Sequence, residues 1–496
     1  MAASLLLERP ALAVPDTRLV VPGPAGVPLS GATLLRHGLG ATQLTVTDFY
    51  CGAGGSTQGF TEAGWTVVLA ANHSPIAIET HSANHGDTEH LLADIIGYDM
   101  TKLPTTDVLW ASPICTEISL ASRRKRAVDE MQMMLRLADG SNPFTEEEEF
   151  EGVDDPSVFA GTRATAFEVY RAVQVHQYKA IVVENVPQFV TDWPAFRRWR
   201  RSIENIGTGY NSVIISVSSA HVSGPGNDAA PQVRDRIYVV FVQRGIPMPD
   251  FSPRPLARCG HCGTDVEALQ VFRPGRTVGK WGQQYDYACP NNPARHGVLI
   301  PYMRGADTII DWHNLGTPIG SRKKTAKRPE GLAPATMERI RTCLAMYPPT
   351  GSIGSTHVDD LAAQLIGGEL HRLPMVIEYR RNSTGSTVAD PLATITAAGN
   401  HHGLLIPYRK ALPRPTSQPL HTLATRDSAG LLIPAADVDI AEMLYRMLTP
   451  REQASGQRFP LSYVIHGTAK EQTMQAGNAV SVNVAHWIAT LLAAVL

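Results

Sequence analysis

Between residues 44 and 242 the chain alternates short apolar runs with stretches of helical periodicity. Apolar runs bounded by turn residues are typical of buried strands, and their alternation with helices is the pattern of βαβ units. The runs are 44–49, 66–70, 107–110, 180–183, 213–217 and 237–242. This pattern predicts an α/β fold built on a parallel sheet.

Length and composition limit the class of protein. A chain of 496 residues is too long for one hydrophobic core, and 43% hydrophobic with 18% charged residues is typical of a globular protein. The formal net charge of -2 means that any nucleic-acid surface has to come from local basic patches. We find no membrane-spanning stretch and no signal peptide, and six cysteines fit a reducing cytosol, so we expect a cytoplasmic protein.

Changes in composition and in hydrophobic periodicity along the chain predict four segments. Residues 1–43 form an irregular N-terminal arm, 44–243 the α/β domain, 244–440 a mixed, loop-rich domain, and 441–496 a helical segment that returns to the α/β domain. An acidic insertion lies at 139–155. In the loop-rich domain a weak repeat (390–396 with 403–407, and 418–423 with 430–434) suggests stacked hairpin-like units.

A glycine-rich turn follows the first predicted strand and precedes a helix. Glycines at such a turn let the backbone approach a ligand, although an ordinary βα turn without a ligand can have the same glycine-rich sequence. Polar residues at the ends of the next two strands, Asn72, His73 and Asp94, lie where α/β sheets bind nucleoside-like ligands. The turn comprises Asp48, Phe49, Tyr50, Cys51, Gly52, Gly54 and Gly55.

Three further motifs follow strands. Cys115 comes just after a strand in a proline-shaped turn, where a thiol is either a nucleophile or simply a small buried residue. Glu184, followed by Asn185, ends an apolar strand, where a carboxyl group is either a proton donor or a capping acid. Arg234 and Arg236 alternate at the start of a strand, which suits a phosphate, a base oxygen or a surface ion-pair ladder.

The order of these motifs resembles that of the cytosine carbon-5 DNA methyltransferase family of prokaryotic or phage type. Two further motifs complete the resemblance: the segment 477–480 and a penultimate motif from Arg446 to Pro460. The resemblance covers residues 44–243 and 441–496. It implies a Rossmann-like methyltransferase sheet with helices on both faces, S-adenosylmethionine as the cofactor, and a target-recognition domain at 244–440.

The resemblance also implies roles for individual residues. Cys115 attacks carbon 6 of a flipped cytosine, Glu184 contacts ring nitrogen 3, and Arg234 and Arg236 contact the base oxygen and the backbone. Asn185 holds the turn that carries Glu184. The cofactor lies on the glycine-rich turn and the strand ends, together with Pro113, Asn478, Ala479 and Val480.

Two positions depart from the family pattern. The family has proline directly before the nucleophile, whereas Ile114 separates Pro113 from Cys115, so we expect a reshaped loop. The family also has an acid after the second strand to bind the ribose hydroxyls. Here that residue is His73, and a neutral imidazole accepts one hydrogen bond rather than two.

A pair of cysteines two residues apart, Cys259 and Cys262, precedes Cys289 and His296. This spacing predicts a structural zinc ion, with His261 competing with His296 as the fourth ligand, although three free thiols are the simpler alternative. We expect DNA contacts from residues with side chains suited to phosphates or base edges, although basic clusters are also typical of a solvated surface. These are Ser119, Gln232, Arg322, Lys323, Arg380 and Arg381.

Three alternatives stay open at this point. The first is an RNA cytosine carbon-5 methyltransferase, a branch in which the variable domain is typically smaller. The second is a catalytically inactive DNA-binding relative, which the presence of Cys115, Glu184 and both arginines disfavours. The third is transfer of an altered one-carbon group. For partners, we expect double-stranded DNA and a monomeric enzyme, and the resemblance leaves room for a separate restriction endonuclease.

Overall fold

The computed structural model describes residues 43–114, 160–346, 375–378, 385–388, 390–395, 402–406 and 440–496, which belong to one compact unit, Gln43–Leu496. A seven-stranded sheet lies at its centre, in the order β3-β2-β1-β4-β5-β8-β6. The first eight strands are β1 (Thr45–Phe49), β2 (Thr66–Asn72), β3 (Glu89–Leu92), β4 (Val108–Ala111), β5 (Ala180–Asn185), β6 (Tyr210–Ser218), β7 (Gln232–Val233), which is outside this sheet, and β8 (Asp235–Gln243).

Strands β3, β2, β1, β4 and β5 are parallel, whereas β8 runs antiparallel to both β5 and β6. The described helices are α1 (Gly55–Glu62), α2 (Pro75–Asn84), α3 (Ala160–His176), α4 (Gln188–Thr191), α5 (Phe196–Glu204), α6 (Pro334–Met346), α7 (Pro450–Gly456), α8 (Ala469–Asn478) and α9 (Val482–Ala493). Short 3-10 turns lie at Met100–Lys102, Ser219–His221, Ala306–Ile309, Ile319–Ser321 and Ile440–Glu442.

Helices cover both faces of the sheet. On one face, α3 and α5 pack on inward side chains of the strands through residues such as Val169 and Trp199. On the other face, α1 and α9 do so through Phe60 and Ile488. Because both faces are covered, central strands such as β5 are buried along their whole length and appear in the sequence as continuous apolar runs. The predicted α/β fold with helices on both faces is therefore confirmed.

Smaller sheets follow between β8 and α7. Their strands are β9 (Leu256–Cys259), β10 (Thr264–Glu267), β11 (Leu269–Phe272), β12 (Tyr285–Ala288), β13 (Val298–Leu299), β14 (Thr317–Pro318), β15 (Met375–Glu378), β16 (Gly385–Thr387), β17 (Leu392–Ala393), β18 (His402–Ile406) and β19 (Leu444–Met447). Strands β9 and β10 form one pair, β11-β12-β13 one sheet, and β14-β19-β18-β15-β16 another.

Strand pairing joins the small sheets to neighbouring parts of the chain. β17 pairs in parallel with β7, directly before β8. β19, from the C-terminal segment, pairs with β18 and β14. The sequence Gly-Val-Leu-Ile-Pro at 297–301 is a third, partial copy of the weak repeat, and its strand β13 belongs to a different sheet from β18, the strand of the copy that begins at residue 403. The copy at 418–434 and the acidic insertion at 139–155 are outside the described residues.

None of the helices in the described ranges combines the length and apolar character that a membrane crossing needs.

Candidate active site

The carboxyl ends of β1, β2, β4 and β5 meet at one edge of the sheet, because these strands are parallel and in register there. Phe49 pairs with both Ala71 and Ala111, and Ala111 pairs with Val183. Residues that follow these strands are therefore neighbours in space although they are far apart in sequence. This edge carries the glycine-rich turn, the turn that leads to Cys115 and the carboxyl group of Glu184.

The glycine-rich turn has a left-handed backbone at Tyr50, Gly52 and Gly54, whose φ angles are 61°, 53° and 88°. A side chain at Gly54 would also lack space, since its Cβ would lie 2.5 Å from the hydroxyl oxygen of Tyr463. Only glycine meets both conditions at Gly54. The turn is thereby shaped into a cradle at the start of α1, and the hydroxyl of Tyr463 donates a hydrogen bond to Ala53 O at 2.6 Å.

Asp48, near the end of β1, fixes this turn through hydrogen bonds of its side chain. Its Oδ2 accepts hydrogen bonds from Ser56 Oγ at 2.6 Å and Thr57 Oγ1 at 2.8 Å, at the start of α1. Its Oδ1 is buried and has no partner among the described atoms. Burial raises the pKa of Asp48 to about 7, although both hydroxyl donors act in the opposite direction. Asp48 therefore lies under the cradle, where it fixes the first turn of α1.

The remaining predicted cofactor residues after β1 to β3 differ in exposure. Phe49 and Cys51 are buried, and burial raises the pKa of the Cys51 thiol well above its usual range, so this thiol is unreactive. Asn72 is also buried, and its side-chain oxygen accepts a hydrogen bond from Ser74 N at 2.9 Å. His73 and Asp94 are exposed at the same edge, where their side chains can reach a ligand.

Glu184, near the end of β5, is paired with Arg236 on β8. The Nε atom of Arg236 lies 3.2 Å from Oε1 of Glu184, and Ser112 after β4 donates a further hydrogen bond to this carboxylate. Burial raises the pKa of Glu184, while Arg236, Arg234 and the Ser112 hydroxyl lower it. A carboxyl group held in this balance can act as a hydrogen-bond donor to a ring nitrogen.

Asn185 connects the two turns of the site. Its side-chain nitrogen donates to Pro113 O at 3.1 Å, and its side-chain oxygen accepts from Val186 N at 2.9 Å. The Ile114 amide in turn donates to Thr165 Oγ1 at 3.2 Å, on α3. The segment after β4 is therefore tied to β5 and to α3 directly before position 115. Cys115 itself, like the predicted DNA contact Ser119, lies outside the described residues.

Arg234 and Arg236 point to different surroundings. Arg234 is buried, and its guanidinium donates to three backbone carbonyls: Ile395 O at 2.9 Å, Gly477 O at 3.2 Å and Ala479 O at 2.9 Å. It thus joins the loop-rich domain to the end of α8. Any contact of Arg234 with a flipped base would require these bonds to rearrange, whereas Arg236 already faces Glu184.

The segment Asn478–Val480 packs on the glycine-rich turn. A Cβ at Gly55 would lie 2.0 Å from Val480 O, so the absence of a side chain at Gly55 lets the two segments approach. Ala479 and Val480 are buried. Their predicted role at the cofactor site is therefore, in this structure, a backbone contact with the cradle.

Ser112 and Thr165 belong to the site but were not predicted from the sequence. Ser112 directly precedes Pro113, so its place at a strand end was the available signal. Thr165 lies on α3, far along the chain from the motifs, and nothing in its local sequence marks it.

Cys259, Cys262, Cys289 and His296 lie together, with all ligand atoms within 4.8 Å of one another. Cys262 Sγ is 3.7 Å from Cys289 Sγ and 3.3 Å from His296 Nδ1, and Cys259 Sγ is 3.7 Å from His296 Nδ1. A tetrahedral zinc ion with bonds of about 2.0–2.3 Å separates its ligands by about 3.5–3.8 Å, so the donor set fits zinc. Of the two candidate histidines, His296 lies in the cluster, and the His261 ring lies beside it at a centroid distance of 4.1 Å with the two rings tilted by 31°.

The predicted DNA contacts have mixed surroundings. Gln232 is fully buried in β7, so a contact with DNA would require the neighbouring β17 to move. Arg322 donates to Tyr445 O at 2.6 Å and stacks over the Tyr445 ring at 5.2 Å. Lys323 is exposed. Arg380 and Arg381 are outside the described residues.

The sheet order, the antiparallel β8 and the turn after β1 define an α/β protein with a mostly parallel sheet, a class in which ligands bind at the carboxyl edge of the sheet. The family model for C-5 cytosine-specific DNA methylases matches residues 44–138 and 381–493. These segments contain the cradle, Cys115 and the 477–480 segment. Over these two segments the chain is similar to this family of S-adenosylmethionine-dependent cytosine methyltransferases, which act on nucleic acid.

Comparison with curated protein sequences gave no match. Among solved structures, a prophage-encoded E. coli protein named as a DNA modification methyltransferase is 15% identical, with a TM-score of 0.42 over 91% of this chain and 99% of that chain. Spodoptera frugiperda DNMT2 and S. pombe Dnmt2 are each 13% identical over 91% of this chain and 99% of theirs, with TM-scores of 0.47 and 0.46. Likeness at this level carries no information about the substrate.

Proposed function

We propose that this chain transfers a methyl group from S-adenosylmethionine to carbon 5 of a cytosine at a specific sequence in double-stranded DNA. The observation that carries the proposal is the arrangement around Glu184. Its buried carboxyl group is paired with Arg236, and Asn185 next to it ties down the turn that leads to Cys115. Glu184 and Arg236 lie outside the segments that the family model matches, so their meeting at this edge is independent support.

The cradle after β1 fits the cofactor. Tyr50, Gly52 and Gly54 have a left-handed backbone in this turn, and glycines at such a turn let a ligand come close to the main chain. When bound, S-adenosylmethionine supplies an electrophilic methyl group. Asp94 and His73, both exposed after neighbouring strands, are the side chains placed to hold its adenosine portion. Because His73 replaces the carboxylate of the family pattern, it offers the ribose one acceptor where the family offers two.

The residues of the site divide the remaining chemistry. Cys115, as a thiolate, attacks carbon 6 of the cytosine ring, while protonated Glu184 donates a hydrogen bond to ring nitrogen 3 and stabilises the electron density that arrives there. Carbon 5 becomes nucleophilic and accepts the methyl group. The bond between the methyl carbon and the donor's sulfonium sulfur would break in this transfer and leave a neutral thioether. Loss of the carbon-5 proton to a base and departure of the Cys115 sulfur then restore the aromatic ring.

The target base has to leave the duplex to reach Glu184, because carbon 6 is not accessible in a stacked helix. We assign sequence reading to the loop-rich domain, whose sheets follow β8 and are joined to the site through Arg234 and β17. Double-stranded DNA is favoured over RNA by the size of this domain. A separate restriction endonuclease as partner of a monomeric methyltransferase stays part of this proposal.

We also propose that Cys259, Cys262, Cys289 and His296 bind one structural zinc ion, because three distances among their ligand atoms, 3.3 to 3.7 Å, are close to those of a zinc tetrahedron. Their surroundings agree with a structural site, since Cys259 and Cys289 are buried. Two thiolates from one tight turn and two distant ligands would close a module whose own hydrophobic core is small.

The decisive experiment is expression of the protein in a host that lacks cytosine methylation, followed by sequencing of host DNA with a methylation-sensitive readout. We expect 5-methylcytosine at one sequence context, and none with Cys115→Ser. Mass spectrometry of nucleosides from the DNA and from the RNA completes the design. Modification of RNA alone, a different group on carbon 5, or no modification in either nucleic acid would each contradict the proposal.

A further inference from the structure

The cysteine module, residues 256–302 with β9 to β13, is docked on the edge of the large sheet. The Gln270 side chain donates to Ser216 O at 2.7 Å, and the Gly279 amide donates to Ser216 Oγ at 3.2 Å. Ser216 belongs to β6, which pairs with β8. The module therefore contacts β6, the edge strand of the large sheet.

A second contact reaches β8, the strand that carries Arg236. The Trp281 amide donates to Asp235 Oδ1 at 3.1 Å, and Asp235 is the first residue of β8, between Arg234 and Arg236 in the chain. The Nη1 atom of Arg236 donates to Asp235 O at 2.8 Å. Asp235 therefore accepts a hydrogen bond from the module with its side chain and a hydrogen bond from the Arg236 guanidinium with its backbone carbonyl.

An aromatic contact closes the docking surface. The ring of His221, which follows β6, lies edge-on to Trp281 at 4.7 Å and to Tyr287 at 5.1 Å. His221 is buried, and burial lowers its pKa to about 3, so the ring is neutral at the interface. A neutral imidazole between two aromatic rings packs without an uncompensated charge, which favours a permanent contact.

The metal cluster is continuous with this surface. Cys289 directly follows β12, whose Tyr285 and Tyr287 are fully buried with Cys259 in the core of the module. Trp281 bridges to Tyr285 through the backbone. Any loosening of the cysteine cluster would therefore reach Asp235 through β12 and Trp281, within one small packed unit.

We propose that the cysteine module stabilises the position of β8, the strand that carries Arg236. Asp235 is then the positioning residue that keeps Arg236 against Glu184. This inference rests on the proposed function of Glu184. It differs from a DNA-reading role for the module, because three of its aromatic side chains are engaged at the docking surface or in the module's own core. Trp281 and Tyr287 pack on His221, and Tyr285 has no solvent exposure.

The test is a double-mutant cycle on single-turnover methyl transfer to unmethylated genomic DNA, using the full chain. Asp235→Ala removes the acceptor of the Trp281 amide, Asp235→Asn retains an acceptor oxygen, and Cys262→Ser weakens the metal cluster. Asp286→Asn is the matched control, since this acid of the same module pairs with Arg273 at 3.2 Å and makes no contact with β8 among the described hydrogen bonds.

We expect Asp235→Ala and Cys262→Ser each to slow transfer about 10- to 100-fold, the range seen when a residue that orients a catalytic group is lost. The double variant should be little slower than either single variant, since both act through one contact. Asp235→Asn should recover most of the rate, Asp286→Asn should match the wild type, and affinity for DNA should stay within about twofold throughout. Hydrogen exchange should show loss of protection at the Trp281 amide in Asp235→Ala and not in Asp235→Asn.

Multiplicative losses in the double variant, or a loss of DNA affinity with an unchanged transfer rate, would overturn the inference and favour a module that reads DNA. A wild type that methylates no DNA would instead contradict the proposed function, and exchange at Trp281 and along β8 would still decide whether the module is docked through Asp235. If thermal unfolding shows that Asp235→Ala is not folded, Gln270→Ala takes its place in the cycle, because it loosens the same docking through Ser216.

Discussion

Arg236 holds its Nε atom 3.2 Å from Oε1 of Glu184, and the two side chains are only 15% and 11% exposed. Antiparallel pairing of β5 with β8 creates this contact, since Asn185 lies opposite Ile237. Burial raises the pKa of Glu184 and Arg236 lowers it, so the ion pair controls how readily the carboxyl group carries a proton. The same contact links the catalytic carboxyl group to the strand on which the cysteine module is docked.

Glu184→Gln should lose most of the turnover and little of the affinity for DNA. The amide has the same shape, but it cannot supply the proton that stabilises ring nitrogen 3. We expect single-turnover transfer to fall by about 100-fold or more, within the range of general acid catalysis. Rapid-quench kinetics with binding measured in parallel will test this. Glu204→Gln, on α5 and paired with Arg200, is the matched control, and a Glu184→Gln rate close to the wild type would refute the role.

Cys115→Ser should abolish methyl transfer while DNA binding persists. A serine hydroxyl is a far weaker nucleophile than a thiolate at neutral pH, and the segment before position 115 is held by Asn185 and Thr165 independently of the thiol. An oligonucleotide with 5-fluorocytosine should trap the wild type as a covalent adduct that survives denaturation. Equal adduct formation by the variant, or none by the wild type, would move the nucleophile elsewhere.

Asp94→Ala should weaken the binding of S-adenosylmethionine. Asp94 is exposed after β3 at the same edge as the cradle, and its Oδ1 also accepts from the Ile96 amide at 3.0 Å. Loss of a hydrogen bond from a charged group corresponds to about 1.5–3 kcal/mol of binding free energy, or roughly 10- to 150-fold in Kd. Isothermal titration calorimetry will measure it, with Asp87→Ala, an exposed acid before β3, as the control. Unchanged affinity would place the adenosine contact on other residues.

Asp48 should make the unfolding free energy depend on pH. Its pKa is raised from 3.8 to about 7 in the fold, so between these values the folded state binds the extra proton. The stabilisation is fully present below pH 4 and is lost as the pH rises through 7, with a total on the order of 4 kcal/mol. Asp48→Asn removes this titration, so its stability relative to the wild type should increase from pH 5 to pH 8. Urea unfolding will test this, and parallel profiles for the two proteins would contradict it.

Purified protein should contain about one zinc ion per chain, and Cys262→Ser should lower both the zinc content and the unfolding midpoint. The four ligand atoms already lie within 4.8 Å of one another, so an ion can be bound with small shifts of these side chains. Elemental analysis and thermal unfolding with and without a chelator are the measurements. Asp286→Asn, in the same module, should leave both values unchanged. A zinc ratio near zero with unchanged stability after chelation would leave the cysteines as free thiols.

The strands and turns of the α/β domain could be predicted from the sequence because their signals are local. A buried parallel strand needs a continuous apolar run, and the turn at Gly54 needs a residue without a side chain, so both requirements are visible in the neighbouring residues. The cysteine spacing is local in the same sense, since Cys259 and Cys262 are two residues apart. The positions of Glu184 at the end of one strand and of Arg236 at the start of another could also be predicted from the sequence.

Tertiary structure decided which of these residues meet. The contact of Glu184 with Arg236 depends on the pairing of β5 with β8, more than fifty positions apart in the chain, and no local pattern specifies that register. The choice of His296 over His261 depends on the fold of the cysteine module, because both histidines have suitable spacing. Arg234 has the same local pattern as Arg236, yet its guanidinium turns to the Ile395 and Ala479 carbonyls. Local residue patterns determined the elements of this protein, whereas long-range packing determined the partners of each side chain.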